Sequence, residues 1–191
     1  LADSNTWAKI KTDKTAGTVD TNLPGHYALG YEDGNTWSVP EADARSTSGW
    51  FWGENKKSPK SMKELATMYF NSVGHNATLL LNVPPNNQGT TDQAILNRLT
   101  EFGRNIQQTF DDNLVQKEGV TAYASSISGN DVKYKPGNVL DNSDDTYWAP
   151  EDENNSGRLV IDLGGNKTFD VISIEESIKL GQRINSYSIE V

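Results

Sequence analysis

The sequence KSMKELATMYFNSVGHNATLLLNVPPNNQG, at residues 60–89, decides the fold class of this 191-residue chain. Apolar side chains recur at helical spacing through residues 58–73, which predicts an amphipathic helix. The run TLLLNV, at residues 78–83, has the length and apolar character expected of a strand buried on both faces of a parallel sheet. A second helix is predicted at residues 92–108, beyond a loop that contains two prolines. Helix, strand, loop and helix in this order indicate an α/β protein.

Local signals in the sequence mark the start of the first helix and the packed face of the second. Ser61 and Glu64 have the spacing of a capping box at the start of the first helix. In the second helix Ile95, Leu99 and Phe102 recur on one face. The first helix is therefore predicted from its start and its periodicity, and the second from its periodicity.

Helical patterning stops near residue 113. Beyond it, short β-type segments alternate with turns rich in Gly, Asn and Asp, which is the pattern of a β-sandwich. The segments lie at residues 120–126, 159–164, 168–177 and 184–191, with a turn at 138–148. We therefore predict two domains, an α/β domain at residues 1–113 and an antiparallel β-sandwich at residues 114–191.

Composition and charge limit the classes of function. With 35% hydrophobic and 9% aromatic residues, the chain has enough apolar side chains for a packed core. The formal net charge of −9 argues against a nucleic-acid partner, because phosphate binding needs a basic face. The absence of cysteine excludes structural disulfides and thiolate metal sites. No apolar run approaches the roughly 18 residues that a membrane span needs, so no membrane span is expected.

The segment WSVPEADARSTSGWFW, at residues 37–52, combines aromatic and acidic side chains. Three tryptophans (Trp37, Trp50 and Trp52) and two carboxylates (Glu41 and Asp43) lie within sixteen residues. Aromatic faces stack on the C–H surface of a sugar, while carboxyl groups act at the glycosidic oxygen. The pattern therefore suits a carbohydrate site, and a buried aromatic cluster beside two solvated acids is the structural alternative.

Three blocks in chain order resemble the C-terminal part of the catalytic barrel of glycoside hydrolase family 29, the retaining α-L-fucosidases. They are WSVPEADARSTSGWFW (37–52), the helix–strand–loop block (60–89) and LNRLTEFGRNI (96–106). The resemblance implies that residues 1–113 form part of a (β/α)8 TIM-type barrel. The Pro-Pro form of the middle block is similar to the branch of the family that acts on α-1,3 and α-1,4 fucosyl linkages. The sequence departs from the family pattern at Thr47, where an arginine is common.

The residues after 113 resemble a discoidin-like (factor V/VIII C-type) carbohydrate-binding module, in VTAYASS (120–126), NVLDNSDDTYW (138–148) and LVIDLG (159–164). This resemblance implies an incomplete, jelly-roll-like antiparallel β-sandwich. Such modules often hold a structural Ca²⁺ in a turn, which here offers Asp141, Asp144 and Thr146 as candidate oxygen ligands. A turn stabilised by its own Asp and Asn side chains, without a metal, is the alternative.

The resemblance to the fucosidases also implies roles for individual residues. Glu41 stands where a glutamate of a later barrel strand lies in the family, so we predict that it is the catalytic acid/base or a sugar contact. Asn82 is predicted to lie at the substrate site, where it orients a catalytic side chain or, alternatively, satisfies the loop backbone. Four further residues are predicted to contact the substrate: Trp37, Asp43, Trp50 and Trp52.

The predicted protein is a retaining α-L-fucosidase that hydrolyses terminal fucose from glycans, needs no cofactor for catalysis and is secreted or displayed at the cell surface (extracellular or periplasmic). The nucleophile of the family lies in a W-x-D-G-like motif, which this sequence lacks, and the last segment reads as a strand without a partner after it. We therefore expect a fragment that is inactive by itself and in which a signal peptide would not be visible. The alternatives are a non-catalytic glycan-binding protein with a degenerate barrel and another retaining glycosidase.

Overall fold

The computed structural model describes residues 8–10, 36–38, 41–53, 58–75, 77–151, 156–177, 180, 183–184 and 186–191. The chain divides into two compact units, Leu1–Gln108 and Thr109–Val191. None of the helices formed by the described residues has the length and apolar character of a membrane span.

The first unit contains a β–α–β arrangement. Strands β1 (Ala8–Ile10) and β2 (Thr36–Ser38) pair with each other antiparallel. Strand β3 (Glu41–Arg45) leads through helix α1 (Met62–Ser72) to strand β4 (Thr78–Asn82), and β3 and β4 are parallel. Parallel neighbours need a crossover connection of this kind. The predicted helix and strand are therefore confirmed, and this unit is α/β.

Helix α1 begins at the predicted capping box. The Ser61 hydroxyl accepts a 3.3 Å hydrogen bond from the Glu64 backbone N–H, and the Glu64 carboxylate accepts a 2.8 Å bond from the Ser61 backbone N–H. The Lys60 ammonium lies 3.2 Å from the same carboxylate. The hydrogen bonds from Ser61, that of its backbone first, and then Lys60 lower the pKa of Glu64 from its ordinary 4.5 to about 2.

The second predicted helix is also confirmed, as α2 (Gln93–Phe110). Its apolar face packs inward, so that Ile95 is 2% exposed, and Leu65 of α1 is 1% exposed. An edge-to-face contact between the Tyr69 and Phe102 rings, with centroids 6.2 Å apart, joins the two helices. The core of this unit thus lies on the helix side of the parallel strands.

Side chains alternate between the two faces of the β3–β4 pair. Helix α1 contacts both strands, and Leu79 and Leu81, which share one face of β4, are half-buried, so we infer that α1 covers this face. Leu80, on the opposite face, is 51% exposed. The prediction that β4 is buried on both faces is therefore wrong for this chain, because the described helix covers only one of them.

The second unit has one antiparallel strand pair among its described residues, β5 (Thr121–Ala124) with β6 (Leu159–Asp162). Asn138 is 6% exposed, and its side-chain amide donates hydrogen bonds of 2.7 and 2.9 Å to the backbone carbonyls of Lys133 and Tyr147. It therefore fixes the turns that lie between the two strands in the sequence.

Two of the predicted β segments are not strands. The described parts of residues 168–177 and 184–191 contain no strand. A strand is defined by backbone hydrogen bonds to a neighbour, and the described residues supply no neighbour for these segments. The β character of the second unit is confirmed in β5 and β6, and the prediction of strands in the last two segments is wrong.

Candidate functional site

A cavity of about 480 Å³ lies where β3 and β4 end. It is lined by the last residue of β4 and by residues that follow the two strands: Trp50, Phe51, Trp52, Asn82, Pro84, Pro85, Asn86 and Asn87. Ligands of α/β proteins bind beyond the carboxyl ends of parallel strands, where the connecting loops meet. The lining combines aromatic faces with side-chain amides, which is a composition suited to a sugar.

Asn82 joins the two segments that form the cavity. As the last residue of β4, it accepts a 3.0 Å hydrogen bond from the Ser46 backbone N–H at its own carbonyl. Its side-chain amide donates a 2.8 Å hydrogen bond to the backbone carbonyl of Trp50. The end of β4 is therefore attached at two points to the segment that leaves β3.

Buried polar residues hold the turn between β3 and the aromatic segment. Ser46 and Thr47 are 1% and 0% exposed. The Thr47 hydroxyl donates a 2.7 Å hydrogen bond to the Gly49 carbonyl, and the Thr47 backbone forms a bridge with Pro59. These contacts fix the point at which Trp50 emerges from the fold. Thr47, which occupies the position where an arginine is common, thus has a structural role.

The three consecutive aromatic residues differ in exposure. Trp50 is 41% and Phe51 81% exposed, whereas Trp52 is half-buried. The Trp52 indole Nε1–H donates a 3.0 Å hydrogen bond to the Asp92 carboxylate. Trp52 is therefore a fixed wall of the cavity, while Trp50 and Phe51 present aromatic surface to a ligand.

The loop after β4 is organised by Asn86. Its side-chain oxygen accepts hydrogen bonds of 3.0 and 3.1 Å from the backbone N–H groups of Gln88 and Thr90. Its side-chain amide donates a 3.0 Å hydrogen bond to the Asp92 carboxylate. Gly89 has a φ of +74°, which glycine adopts without strain. The hydrogen bonds of the Asn86 side chain therefore hold this loop in a defined turn.

Three of the predicted site residues come together in the cavity, namely Trp50, Trp52 and Asn82. Trp37 lies in β2, where its backbone pairs with Lys9 of β1, and its side chain is outside the part that the structure describes. Of the predicted aromatic–acid cluster, the cavity therefore contains the tryptophans that follow β3.

The two predicted carboxylates lie further from the cavity along β3. Glu41 pairs with Thr78 at the amino ends of the strands, whereas Arg45 pairs with Asn82 at the carboxyl ends. Arg45 is four positions after Glu41, which in an extended strand places the two residues about 13 Å apart. Glu41 and Asp43 are exposed, and neither is among the described residues that line the cavity. Their catalytic and binding roles stay predictions.

Phe51 and Asp92 are among the residues of the site that were not predicted from the sequence. Phe51 lies within the quoted aromatic segment, where its neighbours are the stronger candidates for stacking. In the sequence Asp92 stands out only as the first residue of the second predicted helix. Its contact with Trp52 spans 40 residues, and no local spacing indicates it.

The turn predicted to bind calcium brings three kinds of oxygen together. Both carboxylate oxygens of Asp141 lie 2.8 Å from the Thr146 hydroxyl, which lies 3.3 Å from the Ser143 carbonyl. Carboxylate, hydroxyl and carbonyl oxygens are ligands that Ca²⁺ prefers, so this part of the turn fits the ion. Asp144 is exposed, and no cluster of three or more His, Cys, Asp or Glu side chains suited to a metal occurs in the described residues.

Both units match known protein families. Residues 5–109 match the family model described as Alpha-L-fucosidase, which covers more than half of the chain. The chain belongs to the alpha-L-fucosidase family. Residues 121–191 match the model described as F5/8 type C domain. The resemblances predicted for the two parts of the sequence are therefore confirmed.

Individual members of the alpha-L-fucosidase family extend this result. Alpha-L-fucosidase 1 of Arabidopsis thaliana is 36% identical over 191 residues, which are 100% of this chain and 37% of that protein. A Ruminococcus gnavus GH29 fucosidase solved in complex with fucose is 58% identical, with a TM-score of 0.79 over 97% of this chain and 37% of its own. The structure of SpGH29 is 33% identical, with a TM-score of 0.76 over 95% of this chain and 38% of its own. The chain thus spans a little over a third of the length of these relatives.

Proposed function

We propose that the chain is part of a retaining α-L-fucosidase that hydrolyses terminal α-L-fucose from glycans. The observation that carries the proposal is the cavity at the carboxyl ends of β3 and β4, with Trp50, Trp52 and Asn82 in its lining, in a member of this family. The related Ruminococcus gnavus fucosidase was solved with fucose bound, which supports the choice of sugar.

We further propose that the first unit is part of a (β/α)8 barrel and the second part of a jelly-roll-like sandwich of the discoidin type. In a closed barrel the helices lie outside and the opposite face of each strand points to the centre. The face of β4 that carries Leu80 lies opposite α1 and is open, as this arrangement requires.

Within the proposed reaction the described residues bind and orient the sugar. A retaining glycosidase acts through two carboxyl groups about 5 Å apart, a nucleophile and an acid/base. Trp50 and Phe51 offer faces for the C–H surface of the sugar, and Asn82 holds Trp50 in place. The sequence contains no W-x-D-G-like motif for the nucleophile, so we propose that the chain expressed alone is inactive.

The proposed linkage is α-1,3 or α-1,4, and the proposed partners are fucosylated glycans met outside the cytoplasm. Two adjacent prolines, Pro84 and Pro85, line the cavity and support the linkage because they resemble the branch with this specificity. The test is the release of free fucose by the full-length protein from trisaccharides that carry α-1,3- or α-1,4-linked fucose, with an α-1,2-linked trisaccharide as the matched control. Equal or faster release from the control would show that the linkage is assigned to the wrong branch.

We also propose that Asp141 and Thr146, together with the Ser143 carbonyl, hold a structural Ca²⁺ in the second unit. The Thr146 hydroxyl oxygen lies within 3.3 Å of the two Asp141 carboxylate oxygens and the Ser143 carbonyl oxygen, so these neighbouring oxygens could supply part of the coordination shell of the ion. The ion would cross-link the turn and would take no part in catalysis.

A further inference from the structure

Asp92 contacts both sides of the cavity with one carboxylate. Its Oδ2 atom accepts the 3.0 Å hydrogen bond from the Trp52 indole, on the segment that follows β3. Its Oδ1 atom accepts the 3.0 Å hydrogen bond from the Asn86 amide, on the loop that follows β4. Two segments that are remote in sequence are therefore joined through a single side chain.

These contacts determine the orientation of the cavity wall. The indole N–H is the only hydrogen-bonding group of a tryptophan side chain, so its partner sets how the ring lies. Asn86 in turn closes the loop through the backbone N–H groups of Gln88 and Thr90. A change at Asp92 is thus expected to release the Trp52 ring and the Asn86 loop together.

The bridge needs a carboxylate rather than an amide. Both partners, the Trp52 indole and the Asn86 amide, are donors, and a carboxylate accepts with both of its oxygens. An asparagine at residue 92 offers one acceptor oxygen, and its NH₂ group would face a second donor. Asp92→Asn therefore breaks one arm of the bridge while the side chain keeps its shape.

The same substitution leaves the second role of Asp92 intact. Asp92 immediately precedes α2, and its backbone carbonyl accepts hydrogen bonds from the N–H groups of Ile95 (2.9 Å) and Leu96 (3.1 Å), as an N-cap residue does. Asparagine and aspartate are about equally good N-caps. Asp92→Asn is therefore expected to change the cavity without lowering the stability of α2.

We propose that Asp92 is a positioning residue that sets the affinity of the cavity for the sugar by fixing Trp52 and the Asn86 loop. This inference rests on the proposed fucosidase function. In the proposed role Asp92 acts through Trp52 and the Asn86 loop and makes no contact with the reacting atoms. Its loss weakens ground-state and transition-state binding alike, which raises KM and leaves kcat nearly unchanged.

The test measures hydrolysis of an α-1,3/1,4-fucosylated trisaccharide by the full-length protein. Asp92→Asn is expected to raise KM about tenfold with kcat within about threefold of wild type, because one charge-assisted hydrogen bond is lost. The matched control is Glu101→Gln, the same kind of change at an exposed residue of α2. Asp92→Asn in a Trp52→Phe background is expected to raise KM less than in the wild type, since the indole donor is already absent.

A second readout does not depend on activity. The indole N–H signal of Trp52, assigned by its loss in Trp52→Phe, should shift and exchange faster with solvent in Asp92→Asn than in Glu101→Gln. An unchanged KM or an unchanged indole signal in Asp92→Asn would overturn the positioning role. Failure of the wild type to release fucose would instead reject the proposed function, and the indole signal alone would then decide whether Asp92 fixes Trp52.

Discussion

The side-chain amide of Asn82 donates a 2.8 Å hydrogen bond to the backbone carbonyl of Trp50, which lies 32 residues earlier in the sequence. This contact assigns Asn82 to the support of the aromatic segment. Of the two roles predicted for Asn82, orientation of a catalytic side chain or satisfaction of loop backbone, the geometry favours the second. The backbone that it satisfies belongs to the cavity, so the role still bears on binding.

Replacement of Asn82 by aspartate is therefore expected to weaken substrate binding. A carboxylate of the same shape cannot donate to the Trp50 carbonyl and repels it instead. We expect Asn82→Asp to raise KM of the full-length enzyme about tenfold, as the loss of one hydrogen bond and the added repulsion imply. Asn97→Asp, the same change on the exposed surface of α2, is the control. Equal KM values for the two variants would contradict the role of Asn82.

Glu41→Gln separates two accounts of Glu41. An acid/base role requires kcat to fall by roughly 100-fold or more. The position of Glu41 at the amino end of β3, about 13 Å from the cavity end of the strand, argues for a much smaller effect. We expect kcat to stay within about threefold of wild type, measured as fucose release under saturating substrate. A fall in kcat of roughly 100-fold or more would contradict this expectation and support the acid/base role of Glu41.

The capping box of α1 makes a pH-dependent contribution to local stability. The pKa of Glu64 is lowered to about 2, so the ionised carboxylate stabilises the helix start above pH 4.5 and this contribution is lost as the pH falls from 4.5 toward 2. We expect backbone hydrogen exchange in the first turn of α1 to be faster in Glu64→Gln than in wild type at pH 7. The difference should shrink below pH 4.5, and a constant difference down to pH 2 would contradict the assignment.

Calcium should stabilise the second unit if the turn at Asp141 binds it. Saturating Ca²⁺, compared with a chelator, is expected to raise the thermal midpoint of this unit by about 3 °C or more, because a ligand that binds only the folded state stabilises it. Asp141→Asn should abolish the increase, whereas Asp162→Asn, which also removes a carboxylate from this unit, should not. An increase that persists in Asp141→Asn would place the ion elsewhere.

Elements of the fold whose physical cause is local can be predicted from the sequence. The capping box of Ser61 and Glu64 fixes the start of α1 within four residues, and the apolar run of β4 fixes a strand by its length. The formation of these elements depends on their own side chains and on packing against a neighbouring layer of secondary structure. The α/β class of the first unit therefore follows from the sequence.

The relationships within the site have a different origin. The contacts of Asp92 with Trp52 and of Asn82 with Trp50 depend on the register of β3 and β4, which brings residues 40 and 32 positions apart together. The register also moves Glu41 to the end of β3 remote from the cavity. Spacing along the sequence does not reveal which end of a strand a side chain occupies relative to a ligand.

The most direct test of the central claim measures kcat/KM for fucose release from an α-1,3/1,4-fucosylated trisaccharide, with full-length wild type and the double variant Trp50→Ala/Trp52→Ala. We predict release by the wild type and a fall of roughly 100-fold or more in the double variant, because one aromatic face for the sugar and one wall of the cavity are removed. Tyr123→Ala, which removes an aromatic ring that is 59% exposed in the second unit, should keep the wild-type value. No fucose release by the wild type, or equal kcat/KM in the wild type and the double variant, would contradict the account.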